Sequence, residues 1–284
     1  MNSETKERVI LVVCGVVAAA VAITLASNGN PGNMAICIAC FVRDTAGAMK
    51  LQTNETVQYL RPEIIGIIVG ACVMAFANKE FKATAGSSPF TRFVLGFVAV
   101  FILSITTTVF AVSQSGPGSM HAPVVLSIIG GIAFGVIAQR TRLCFAGGLR
   151  DTFLVRDGWG LVVIGILFAG VLAYNLVSGH FNLSFADQPI AHTDALWNIL
   201  GMFVVGFSAT LLGGCPLRQM VLAGSGSGDS AVTFIGLLVG AAFAHNFGIA
   251  SSPKGVTEAG QIATVVCIVV LFVIAAVNLK RARS

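Results

Sequence analysis

Charge is scarce in this sequence: Asp, Glu, Lys and Arg make up 10% of its 284 residues, where a soluble domain carries about 25%. None of the four occurs from Phe93 to Gln139, an uncharged stretch that no single soluble core accommodates. Hydrophobic residues make up 56% and mean hydropathy is +0.89, the composition of an all-α polytopic membrane protein. A basic face is also lacking. The net charge of +5 is spread over short loops, so no nucleic-acid partner is expected. The Walker loop G-x-x-x-x-G-K-[ST] is absent, which argues against nucleotide hydrolysis. No Cys or His cluster has zinc-finger spacing, and His121, His180, His192 and His245 are scattered, so neither a metal nor a cofactor is expected. The spans show no obvious coupling carboxylate, which leaves the driving force open.

A hydrocarbon core about 30 Å thick needs roughly 20 apolar residues per helix, fewer where the bilayer thins. About eight segments qualify: residues 9–27, 62–77, 94–112, 124–138, 159–178, 196–213, 231–245 and 262–278. The first exceeds the apolar run of a signal peptide and is read as a span. With the N-terminus inside, 13 of the 17 Lys and Arg fall on the cytoplasmic side, leaving Arg43, Lys50, Arg61 and Lys254 outside. That asymmetry predicts a multi-pass protein of the cytoplasmic (inner) membrane with both termini cytoplasmic.

Two stretches repeat. Cys37-Ile-Ala-Cys-Phe-Val-Arg43-Asp44-Thr45 and Cys144-Phe-Ala-Gly-Gly-Leu-Arg150-Asp151-Thr152 both read C-x-A-x-x-x-R-D-T, 107 residues apart. A duplication follows, with a first repeat over residues 9–113, a second over 124–213, and residues 214–284 adding a Cys-Pro motif and two further spans to a single membrane domain. Three spans per repeat is an odd number, so the halves are inverted, an arrangement characteristic of transporters. Between Pro31-Gly-Asn33 and Arg43-Asp44 the apolar run is too short to cross a bilayer, and a re-entrant helix is expected there. Irregular backbone at that depth is tolerated only inside protein or along a wet cavity.

The third motif is Gly213-Gly-Cys215-Pro-Leu-Arg218. Gly-Gly ends one helix and Pro216 suits the first turn of the next, whose free N–H groups favour an anion near Cys215. Of seven cysteines, Cys14, Cys72 and Cys267 lie in plain apolar spans and are read as small hydrophobes. Cys37 and Cys40 form C-x-x-C, a possible redox dithiol, although neither other motif keeps the second cysteine. Cys37, Cys144 and Cys215 at helix breaks, each with an arginine three or six residues on (Arg43, Arg150, Arg218), provide weak S–H donors with cations nearby. Such donors suit an anion with a soft terminal sulfur or selenium, held weakly enough to leave. Arg43-Asp44 and Arg150-Asp151 also read as structural pairs that hold each re-entrant segment.

Taken together, the two C-x-A-x-x-x-R-D-T segments, the Gly-Gly-Cys215-Pro-Leu-Arg218 motif and the Leu-Gly spans resemble the YeeE/YedE family of sulfur-transport membrane proteins, in particular its YedE-like branch linked with selenium metabolism. The resemblance implies an hourglass-shaped importer of thiosulfate with cysteines along the path, here Cys37, Cys144 and Cys215. It also implies a small TusA-like sulfur carrier as cytoplasmic partner, for which the basic loop at residues 140–156 offers a dock. One departure stands out: YedE-like relatives carry Gly-Cys-Pro at the end of each half, whereas here Thr106 to Gly118 contains no cysteine. Either Cys40 substitutes for that thiol or the substrate differs. The expectation is therefore a transporter, not an enzyme, for a small sulfur- or selenium-containing anion. The competing readings are a membrane thiol-disulfide oxidoreductase using Cys37 and Cys40, and a non-transporting anchor subunit.

Overall fold

The computed structural model describes residues 3–82, 110–184 and 192–283. Among these, the regular elements are ten α-helices: α1 (Ser3–Ser27), α2 (Ile38–Ala48), α3 (Pro62–Ala77), α4 (Val124–Arg140), α5 (Phe145–Leu154), α6 (Trp159–Val177), α7 (Ala195–Leu211), α8 (Pro216–Gly224), α9 (Gly228–Asn246) and α10 (Glu258–Arg283), with one 3₁₀ turn at Pro117–Ser119. Among the described residues, six helical stretches are long and apolar enough to cross a membrane: Glu4–Ser27, Val124–Leu154, Trp159–Val177, Ala195–Gly224, Gly228–Asn246 and Glu258–Lys280. Helix α3 is apolar and 16 residues long, about 24 Å at 1.5 Å per residue. The span expected at 94–112 falls, up to residue 109, outside the described residues.

Helices α2, α5 and α8 are 11, 10 and 9 residues long. Each rises about 14–17 Å, half a hydrocarbon core. Their starts are marked by chain reversals. Asn33 precedes α2 with φ 62°, Arg142 precedes α5 with φ 53°, and Gly213 precedes α8 with φ 76°. A left-handed residue suits glycine and costs a residue with a Cβ, which makes the two non-glycine positions specific stops.

Pairwise contacts fix the directions of the helices. Glu63 meets Ser127 at one end of the α3–α4 pair and Glu80, just past α3, meets Gln139 at the other, so α3 and α4 run parallel. Helix α1 runs against them: Arg140, at the last residue of α4, binds Glu7 in the first turns of α1. Helix α6 lies parallel to α1, with Arg8 over the Trp159 ring and a Cβ on Gly170 meeting Ala19. Helix α9 ends beside the α2–α3 loop, where Asn246 donates to Leu51 O and accepts from Thr53 N. The helices thus share two polar ends, called here the Asp44 end and the Glu80 end.

The closest packing is between α3 and α4. Gly66 and Gly70 face Gly131 and Gly135, so each helix carries a G-x-x-x-G stripe and backbone lies on backbone. A Cβ on Gly70 would overlap Ile132 O and one on Gly135 would overlap Ile67 O. Lipid tails are as apolar as the helices, so close approach of this kind replaces the hydrophobic drive of a soluble core. Around it Phe41, Ile67, Phe134, Leu143, Leu217 and Met220 form one buried cluster from α2, α3, α4, the α4–α5 link and α8. The outer faces of α6, α7, α9 and α10 expose Phe168, Ile199, Met202, Val239 and Phe272, as helices bordering lipid do.

Gly70→Val or Gly135→Val should each destabilise the detergent-solubilised protein by about 3 kcal/mol, the upper range for overpacking, because backbone and not a side chain must give way. Gly236→Ala, where no described residue stands within 4 Å of the added Cβ, should change the thermal midpoint little. Equal effects at the two kinds of position would refute the seam.

Candidate functional site

Three cysteines occupy one structural position. Cys37, Cys144 and Cys215 are the N-cap residues of α2, α5 and α8, all in extended backbone conformation. Cys37 Sγ accepts the amide of Cys40 at 3.4 Å and Cys144 Sγ accepts that of Gly147 at 3.2 Å, each three residues on. Sulfur thus takes the role that a serine or aspartate oxygen usually plays at a helix start. Pro216 at the first position of α8 has no N–H to satisfy.

The cysteines fall into two pairs. Cys215 N donates to Cys144 Sγ at 3.3 Å, across 71 residues of sequence. Both side chains are buried. Cys37 instead meets Cys40, Sγ to Sγ at 2.6 Å, and both are half-buried. Cys14, Cys72 and Cys267 belong to α1, α3 and α10.

The arginine–aspartate repeats differ sharply. Asp44 is completely buried and its carboxylate takes four N–H bonds: Oδ1 from Arg43 Nε and Nη2 at 2.9 and 2.7 Å, Oδ2 from Arg61 Nε and Nη2 at 2.8 and 2.6 Å. Arg61, also fully buried, gives two further N–H bonds to Met120 O and Pro117 O and lies over the rings of Phe41 and Tyr59. This network ties α2, the start of α3 and the 3₁₀ turn together. Arg150 and Asp151 bind each other at 2.7 Å, with 45% and 43% of their side chains exposed. Arg218 is held by Gln139 Oε1 at 3.3 Å; Gln139 donates to Glu80, which pairs with Arg142. Arg218 therefore sits beside the Cys144–Cys215 pair at the Glu80 end, with Arg142 and Glu80 around it.

Glu63 escaped the sequence reading and Arg61 entered it only as an outer-side charge, although two charges flanking Pro62 at the start of an apolar run are a visible signal. Glu63 is buried at the Asp44 end. Its Oε1 accepts from Asn30 Nδ2 at 3.1 Å and Ser127 Oγ at 3.0 Å, while Oε2 finds no partner among the described residues. Asn30 also donates to Ala35 O and accepts from Ala122 N. In the preceding loop, burial and then the Glu63 carboxyl push the Tyr59 hydroxyl up to about 12, so the ring that stacks on His121 at 4.0 Å stays uncharged. Among the described residues no group of three His, Cys, Asp or Glu side chains is placed to hold a metal.

The family described as Sulphur transport matches residues 140–282, half of the chain. Two relatives share parts of it. The Thiosulfate transporter TsuA of Spirochaeta thermophila is 29% identical over 97 residues, which cover 34% of this chain and 28% of that protein. The Thiosulfate transporter TsuA of Escherichia coli is 27% identical over 111 residues, 38% of this chain and 30% of that protein. The matched stretches thus span less than a third of either relative. No solved structure matches significantly.

Asp44→Asn should leave two buried guanidinium groups without their carboxylate and destabilise the protein by about 3–5 kcal/mol. Asp151→Asn, at an exposed pair, should cost at most about 1 kcal/mol. Thermal unfolding of the two variants in the same detergent checks the asymmetry; equal losses would contradict it.

Proposed function

The chain belongs to the sulphur transport family, and on that premise we propose that it carries a small thiosulfate-like anion across the cell membrane past the thiols of Cys37, Cys144 and Cys215. The observation that carries the reading is the meeting of Cys144 and Cys215, two N-cap cysteines distant in sequence, beside Arg218. An anion there is favoured by two helix starts, whose early N–H groups carry partial positive charge. A thiol donates only a weak hydrogen bond, so it can hold a soft terminal sulfur without trapping it. Sulfate, with hard oxygens only, is served poorly by the same donors. A selenium analogue with a soft terminal atom fits the same chemistry and is the second substrate to rank.

The direction of α1 against α4, which start the two C-x-A-x-x-x-R-D-T halves, supports reading the halves as inverted repeats around this path. Arg8, Arg140, Arg142 and Arg218 gather at the Glu80 end. That end is assigned to the cytoplasm of a cell-membrane protein with its N-terminus inside. The anion enters at the Asp44 end, where Arg43 keeps its side chain 16% exposed, and leaves among the arginines of the Glu80 end. A TusA-like sulfur carrier meeting the basic residues 140–156 would receive it there.

The test is uptake of labelled thiosulfate by cells lacking their own sulfur-anion importers. Cells expressing the protein should take up thiosulfate, with sulfate competing poorly. Cys215→Ala and Cys144→Ala should each reduce uptake about 10- to 100-fold, the value of one hydrogen bond to a charged group. Uptake unchanged in both variants would remove the thiols from the path, and no uptake by a correctly inserted protein would remove thiosulfate.

A further inference from the structure

The two cysteine pairs differ in a way that transport alone does not require. Cys144 and Cys215 are buried, whereas Cys37 and Cys40 are partly exposed at the start of α2 and their sulfurs stand 2.6 Å apart. The two sulfurs thus stand only ~0.6 Å beyond a disulfide bond length of about 2.05 Å. Cys37 Sγ also receives the Cys40 amide at the positive end of α2, and a thiolate at a helix N-terminus is the reactive form. The pair belongs to α2, whose Asp44 is fixed by Arg61, so the backbone around it is firmly held.

We infer that Cys37 and Cys40 form a reversible disulfide that shuts the pathway at its outer end; this deepens the transport reading and rests on it. Cys37 thiolate attacks one sulfur of a low-molecular-weight organic disulfide, R–S–S–R, forming a mixed disulfide and releasing one thiolate. Cys40 gives up its proton and attacks Cys37 Sγ, forming the Cys37–Cys40 bond and releasing the second thiolate. Two protein thiols are oxidised and one organic disulfide is reduced to two RSH, so atoms and electrons balance. Once joined, Cys37 has no S–H to offer and turns sulfur lone pairs toward the incoming anion. A dithiol reductant reverses the sequence.

Purified full-length protein is reconstituted in vesicles, treated with oxidised glutathione, alkylated and mapped by mass spectrometry, and thiosulfate uptake is measured before and after dithiothreitol. The Cys37 and Cys40 peptides should appear linked after oxidation and be alkylated separately after reduction. Uptake by wild type should fall about tenfold or more on oxidation, the loss of one donor to an anion, and recover on reduction. Cys40→Ala and Cys40→Ser should transport like wild type when reduced; with the oxidant the reaction should stop at the mixed disulfide, so that Cys37 carries one glutathione and no linked peptide forms. Separate alkylation of both wild-type cysteines after oxidation, uptake indifferent to a mapped disulfide, or a Cys37 left free to alkylate in both oxidised Cys40 variants would each overturn the valve. Absence of uptake by the reduced protein would overturn the transport reading and the valve with it, while a transporting protein that forms no linked peptide overturns the valve alone.

Discussion

The carboxylate of Asp44 is the fixed point of the described structure. A buried carboxylate is tolerated only when its lone pairs are occupied, and here four guanidinium N–H groups from Arg43 and Arg61 occupy them. Because Arg61 stands directly before α3 and also binds Met120 O and Pro117 O, one charge cluster anchors a helix that is too short to span the bilayer. Without that anchor α2 would have no reason to stay at membrane depth, and its N-cap cysteine no fixed position. The glycine seam of α3 and α4 supplies the wall against which α2 and α8 rest. Gly224 of α8 approaches Ile68 O of α3 as closely as the seam's own residues approach each other.

Sulfur recurs where helices begin. A short helix starting inside a membrane protein leaves amides that need partners, and Cys37 and Cys144 answer one of them each with Sγ. In the proposed pathway the same sulfurs turn a thiol toward a passing anion, so that a single side chain would serve both the helix and the path. The two halves use this device under different conditions. In the first, the arginine–aspartate pair is buried and reinforced by Arg61. In the second, Arg150 and Asp151 are half exposed, and the polar order lies instead in the chain Arg218–Gln139–Glu80–Arg142. The matched family region, residues 140–282, contains Arg142, Arg150, Asp151 and Arg218 of the second arrangement, while Gln139 and Glu80 lie before it.

Much of this is legible from local sequence. The helix breaks at Cys37, Cys144 and Cys215 are written in Asn33, in Pro216 and in charges interrupting apolar runs, and the all-helical class follows from composition. The repeat is equally plain in residue order. What sequence order does not disclose is pairing at a distance: that Cys215 meets Cys144, or that Arg61 reaches back to Asp44. The seam follows the same rule, since both G-x-x-x-G stripes can be seen but the choice of partner is a tertiary matter. Glu63 lay inside an expected span and yet passed without notice, because a lone acid at a helix start usually answers the dipole; only burial and the contacts with Asn30 and Ser127 mark it as part of the interior.

The central claim is that this chain by itself conducts a soft sulfur anion. Purified protein in sealed vesicles, with labelled thiosulfate and labelled sulfate supplied outside in separate samples, tests it without any other cellular component. Entry of thiosulfate well above protein-free vesicles, with sulfate near that background, is the predicted result. Equal entry of the two anions, or none of either, would contradict the account.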